Sequence, residues 1–144
     1  YRYYGIRRTS QAEIFNKYKK QNPVSLNDFY IQTDDLIADA KQNGFNNARW
    51  ERIDISDKDL VVHTLLEFIK KRVPIIACQQ FTKELPHIGH FRVVVRIWRD
   101  NIYFHDQHLK YGGVNIKWPL EKFIDFWRQT SNNVTGGVLL IIEK

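Results

Sequence analysis

The apolar periodicity of this 144-residue chain changes once along its length, near Val73. Before that point apolar residues recur at helical spacing. After it, alternating and continuous apolar runs of strand length predominate. Helices first and hairpin-linked strands afterwards do not fit an alternating doubly wound fold. They point to α+β, with a largely antiparallel sheet.

In the helical part, Ser10 followed by Glu13 is a capping box, and Ile14, Phe15 and Tyr18 form an apolar stripe behind it. That helix is expected to end near Gln21–Pro23, with residues 23–32 irregular or briefly extended. Thr33 is expected to cap a second helix, with Asp34 and Asp35 at its positive N-terminal end. Leu36, Ile37 and Ala40 face the core, and Gly44 is the stop. Residues 48–53 alternate like a short edge strand. Ser56 with Asp59 opens a third helix carrying Leu60, His63, Leu65, Leu66 and Ile69, with Lys70, Lys71 and Arg72 at its C-terminal end.

In the strand part, Val73 to Cys78 reads as a short buried strand. His90 to Trp98 is a strand with Phe91, Val93, Val95 and Ile97 expected on one face. Asp100–Asn101 supplies the turn, and Ile102 to His105 returns. Pro119 opens a fourth helix through Gln129, with Phe123, Phe126 and Trp127 inside. Gly136–Gly137 leads to a last strand, Val138 to Ile142.

The length suits one domain over residues 1–144. With 43% hydrophobic and 26% charged residues, the chain can bury a core, which argues against disorder. No apolar stretch approaches the ~20 residues of a membrane span. A single cysteine, Cys78, excludes an internal disulfide and a cysteine-rich metal site. The start at Tyr1 and the lack of any Met read as a piece cut from, or processed out of, a longer protein. The compartment stays open, a cytoplasmic and an exported protein both being compatible.

The net charge is +6, and most of it sits at one end. The first twenty residues hold Arg2, Arg7, Arg8, Lys17, Lys19 and Lys20 against Glu13 alone, a local +5. Tyr1, Tyr3, Tyr4 and Tyr18 lie among them. Cations with ring faces are what a single-stranded nucleic-acid groove uses. A solvated helix face with inward tyrosines explains the same residues, and nucleic acid is not the expected partner.

His90 and Asp106 are the most suggestive pair for chemistry, since each lies at the open end of one arm of the same hairpin. A carboxylate that accepts an imidazole N–H fixes the tautomer of a histidine base. A tight turn at Asp100–Asn101 makes His90 overshoot Asp106, so the pair needs a turn nearer Trp98–Arg99, or a bulge. His87, His90, His105 and Asp106 offer ligand types that zinc accepts, at a spacing of no helix-based metal motif. No metal or cofactor is expected. His63 reads as a structural residue of its helix. Cys78 precedes His90 and Asp106, so the order nucleophile, base, orienter exists in the chain. Its place in an apolar strand argues instead for inert packing. Gln79 and Gln80 could line a cleft.

The stretch Gly89-His90-Phe91-Arg92-Val93-Val94-Val95, then Asn101-Ile102-Tyr103-Phe104-His105-Asp106, then Pro119-Leu120-Glu121-Lys122-Phe123 and the Val138–Ile142 strand resembles the papain-like cysteine peptidases of the bacteriocin-leader-processing (double-glycine peptidase) family. Tyr3-Tyr4-Gly5-Ile6 before a capped helix, and Leu65 to Ile76, resemble it too. The resemblance covers nearly the whole chain. It implies a papain-like domain, a helical lobe followed by a sheet lobe, with His90 as general base and Asp106 as its orienter. It also implies a nucleophilic cysteine about three helical turns upstream of Tyr1, with an oxyanion-hole glutamine shortly before it. Arg92 departs from the family, which usually has an apolar residue there, and so does Arg96, where glycine is frequent. If Arg92 shares the His90 face, it disfavours an imidazolium, or it binds an acidic substrate group.

The expected activity is therefore cysteine-peptidase processing of a peptide or protein substrate, the cysteine lying upstream. The alternatives are an inactive peptidase-like module that binds peptide, a basic nucleic-acid-binding domain and, more distantly, a zinc hydrolase. Fusion to, or association with, a transporter or an upstream segment is left open.

Overall fold

Ser10 closes the capping box that its sequence promises: the Glu13 amide donates to Ser10 Oγ, and the Ser10 amide donates to the Glu13 carboxylate. Helix α1 then runs over Gln11–Tyr18 and stops short of the expected Gln21. Lys20–Asn22 (β1) instead pairs antiparallel with Ser25–Tyr30 (β2). Phe15 stays exposed, while Ile14 and Tyr18 are half-buried. This computed structural model describes residues 10–22, 25–108, 110, 112–131 and 134–144, without the side chains of 11 and 22–28. Tyr3-Tyr4-Gly5-Ile6 and the arginines at 2, 7 and 8 lie outside the described residues.

Helix α2 spans Thr33–Gln42. Its N-cap is Gln32, not Thr33, and no side chain caps it; Asp34 and Asp35 do occupy its first turn. Ile37 and Ala40 are buried, and Gly44 follows the end at φ +86°, the left-handed conformation that favours glycine. Arg49–Arg52 (β3) is an edge strand of the main sheet, as the alternation predicts. Helix α3 covers Lys58–Lys70. Its cap is Asp57, whose carboxylate accepts from the Leu60 amide at 3.0 Å. Ser56 fails to cap because Asp54 holds its hydroxyl and its amide. Val61 and Leu65 turn inward, while Leu60 and His63 face solvent.

The remaining strands are β4 (Ile75–Gln80), β5 (Gly89–Trp98), β6 (Asn101–Asp106), β7 (Gly113–Pro119) and β8 (Val138–Ile141). Helix α4 (Leu120–Phe126) follows β7 directly. It ends at Trp127 rather than Gln129, where the indole Nε1 donates to the Val138 carbonyl at 3.1 Å and the Trp127 carbonyl accepts from the Gly137 amide. The main sheet has the order β3-β8-β4-β5-β6-β7, every neighbouring pair antiparallel. The fold is α+β, as the periodicity indicates. β8 is buried along its full length at an interior position, which explains its unbroken apolar run.

Helices cover both faces of the sheet. On one face α3 and α4 pack on Ile75, Ala77, Val94, Ile102, Phe104, Leu139 and Ile141. On the other, α2 and the segment after it bring Ile37, Ala40, Phe45 and Ala48 against Leu140 and Ile142, with Cys78 and Phe91 at the margin. Along β4 and the β8 segment the two apolar layers alternate residue by residue, as the pleat requires.

Candidate active site

The β5–β6 hairpin decides which side chains meet. Its tip pairs Trp98 with Asn101, so the turn is Arg99–Asp100, one residue earlier than the Asp100–Asn101 turn expected from sequence. Arg99 takes φ +53° there. That turn alone sets Asp106 beside Val93, on the sheet face opposite His90. A β-bulge between Val94 and Arg96 then shifts the register by one, and Asp106 lands opposite Arg92. A one-residue slip moves a whole strand to the other face. The bulge therefore puts His90, Arg92 and Asp106 on one face.

The bulge also overturns the expected grouping of Phe91, Val93, Val95 and Ile97. Val94 and Ile97 pack on the α3–α4 core, Phe91 packs on the α2 side, and Val95 is 38% exposed.

His90 Nε2 lies 2.7 Å from Asp106 Oδ1. A carboxylate only accepts, so Nε2 carries the hydrogen and Nδ1 is left as the basic nitrogen. Nδ1 has no hydrogen-bond partner among the described residues. The imidazole is largely enclosed, with its side chain 12% exposed. Phe81 packs against it at 5.0 Å between ring centroids, and the His108 ring lies 6.3 Å away.

Asp106 is held on both edges. Oδ1 also accepts from the His108 amide at 2.9 Å, and Oδ2 lies 3.2 Å from Arg92 Nε. Burial alone pushes this carboxyl up. The hydrogen bonds from His90 and the His108 amide, with the charges of His90 and Arg92, outweigh it and leave Asp106 below its ordinary range. The turn that presents the His108 amide depends on Gly112, whose amide donates to the His108 carbonyl. A Cβ at Gly112 would lie 2.3 Å from that carbonyl oxygen and 2.4 Å from the backbone carbonyl oxygen of Asp106.

Arg92 shares the His90 face and is 3% exposed. It donates through Nη1 to Gln79 Oε1 and the Gln80 carbonyl, and through Nη2 to the Phe81 carbonyl. Phe104, Trp118 and Phe126 surround its guanidinium at 5.0–5.9 Å. Burial lowers its pKa from the usual guanidinium range, and Asp106 opposes that. It is thus occupied internally, and the expectation that it binds an acidic substrate group is not supported. Gln79 and Gln80 are buried rather than lining a cleft, and Gln79 Nε2 donates to the Phe123 carbonyl of α4 at 2.7 Å.

Cys78 cannot reach His90. It is opposite Phe91 in the β4–β5 ladder, one step from the Gln79–His90 pair, so it projects from the other face. Burial pushes its thiol far above the ordinary range. The zinc-type set is not assembled either. His105 faces away from Asp106, with Nδ1 accepting from the Asn115 amide at 3.0 Å, and His87 lies on the exposed segment between β4 and β5. Among the described residues no group of three or more His, Cys, Asp or Glu is placed to hold a metal ion.

Sequence reasoning missed the Gln79–Arg92 anchor and the His108 amide. The alternation that lets Arg92 share the His90 face also puts Gln79 two residues from Ala77, in the same core-facing row. The basic N-terminal stretch is partly neutralised, Lys17 pairing with Asp39 and Lys20 with Asp35 of α2. No helix among the described residues is long and apolar enough to cross a membrane.

Compared with known proteins, residues 1–135 match the model of the Peptidase C39-like family. No curated protein and no solved structure matches the chain.

Proposed function

The chain belongs to the Peptidase C39-like family, and on that premise we propose that it forms the base-and-orienter part of a cysteine peptidase that processes a peptide or protein substrate. The observation that carries the reading is the 2.7 Å contact between His90 Nε2 and Asp106 Oδ1, which leaves Nδ1 as acceptor. In this mechanism Nδ1 takes the proton of a cysteine thiol as sulfur attacks the scissile carbonyl. His90 then gives that proton to the leaving amine. Water, deprotonated by the same nitrogen, cleaves the thioester and frees the thiol. Asp106 keeps the tautomer and steadies the imidazolium that forms. The chain's single cysteine projects from the wrong face, so the thiol comes from a segment other than residues 1–144. A position about three helical turns upstream of Tyr1 agrees with the family pattern.

The test is cleavage of candidate peptides by the protein made from its complete reading frame. Substituting His90→Ala is expected to abolish cleavage; cleavage at an undiminished rate sinks the assignment. The remote position of Cys78 also favours a second reading, a module that binds peptide without cutting it. Saturable peptide binding with no cleavage by the full-length protein would select that reading.

A further inference from the structure

A buried arginine beside the orienter is a departure from a simple His–Asp pair, and its bonding is specific. Its Nε lies 3.2 Å from Asp106 Oδ2 as an ion pair without the alignment of a hydrogen bond, while Nη1 and Nη2 donate to Gln79 Oε1 and the carbonyls of Gln80 and Phe81. Those two carbonyls close β4 and open the segment whose Phe81 ring packs on His90. Gln79 in turn is fixed to the Phe123 carbonyl of α4. The aromatic wall of Phe104, Trp118 and Phe126 leaves the guanidinium little freedom to turn.

We infer that Arg92 is a positioning residue: it anchors the Oδ2 edge of Asp106, so that Oδ1 stays aimed at His90, and it ties that carboxylate to α4 and to the Phe81 segment. This deepens, and rests on, the reading of His90 and Asp106 as base and orienter. The chemistry follows from charge and geometry. A planar guanidinium bonded to Gln79 and two carbonyls keeps its charge fixed against one carboxylate edge, which a lysine ammonium on a flexible stem cannot reproduce. Its positive charge also offsets part of the cost of burying the carboxylate. Around the pair, the titratable groups are Arg92 on β5, Asp106 on β6 and His108 beyond it. From β4 comes uncharged Gln79, and from the next segment Phe81. Lys83 and Asp125 of α4 pair with each other.

The test is a carboxyl ¹³C NMR titration of Asp106 in the full-length protein and in Arg92→Met and Arg92→Lys. Loss of the charge should move the Asp106 midpoint up. Arg92→Lys should leave it close to the native value, yet speed amide hydrogen exchange in residues 81–88. A residue that only fills space would change stability and leave the midpoint alone, and equal midpoints in native and Arg92→Met protein overturn the inference. If Arg92→Met does not fold, the native protein decides. Its Arg92 ¹⁵Nε resonance should follow the Asp106 titration with the same midpoint, and a resonance that ignores it overturns the inference. Neither measurement needs catalysis, so a full-length protein that cuts no peptide refutes the peptidase reading and leaves this result standing.

Discussion

On the α2 side of the main sheet, strands β4 and β5 present Cys78 and Phe91 beside Leu140 and Ile142 of the β8 end, an apolar layer with no chemistry in reach. On the α3–α4 side the same two strands, one residue out of step, present Gln79, His90 and Arg92, joined there by Asp106 of β6. Both layers exclude water. The second buries a carboxylate and a guanidinium together and offsets them with hydrogen bonds and opposite charge, which is the condition for keeping both in a core. The comparison teaches that a sheet of this kind separates an inert thiol from a reactive histidine by one residue of pleat.

The largest test of that separation is catalytic. In the full-length protein, His90→Ala is expected to cut peptide cleavage by about 10³-fold or more. Cys78→Ala should leave the rate unchanged and cost only about 1 kcal/mol of stability. A large rate loss in the Cys78 variant would break the two-face picture. Next come the two cores. Phe45→Ala on the α2 side and Phe123→Ala on the α4 side should each cost about 3–5 kcal/mol in urea unfolding. The second should also shift the Gln79 side-chain amide resonances, because the Phe123 carbonyl accepts from that amide; the first should leave them in place.

A smaller effect separates the turn from the strands. Gly112→Ala forces a Cβ against two backbone oxygens and should cost about 2–3 kcal/mol. It should also displace the His108 amide from Asp106, seen as a shift of that amide resonance. The smallest effect is acid sensitivity. Asp106 has a folded value depressed below its ordinary 3.8, so its contribution is complete above 3.8 and is lost as pH falls through the lower folded value. One such group adds at most about 1.4 kcal/mol per pH unit to the acid limb of the unfolding curve. Asp106→Asn should make that limb shallower, and Cys78→Ala should not.

Much of this was legible before any coordinates. The box of Ser10 and Glu13, the Gly44 stop, the edge strand at 49–52 and the apolar runs of β4 and β8 all rest on neighbours within a few residues. So does the choice of His90 and Asp106 as candidates, since their residue types and hairpin placement are read directly. Errors arose where two local signals competed. Asp57 rather than Ser56 caps α3 because Asp54 captures the serine first. Gln32 rather than Thr33 precedes α2, a boundary difference of one residue. The Gln129 end of α4 was lost to a tertiary bond, the Trp127 indole on the Val138 carbonyl.

The sequence by itself determined the four helices, the β5–β6 hairpin, the last strand and the α+β class, because periodicity and capping are decided by residues adjacent in the chain; β7 and the β1–β2 pair were not read from it. It also determined that Cys78 and Gln79 face opposite ways, because a strand alternates. What only the tertiary structure decided is which residues share the His90 face across strands. The face depends on a single bulged residue between Val94 and Arg96, because a shift of one residue inverts every side chain beyond it, while the turn placed one residue earlier fixes which partner lies opposite. The role of Arg92 was likewise settled in space. A guanidinium is stable in a core only when acceptors from several strands converge on it, and here they come from β4, the segment after it and β6.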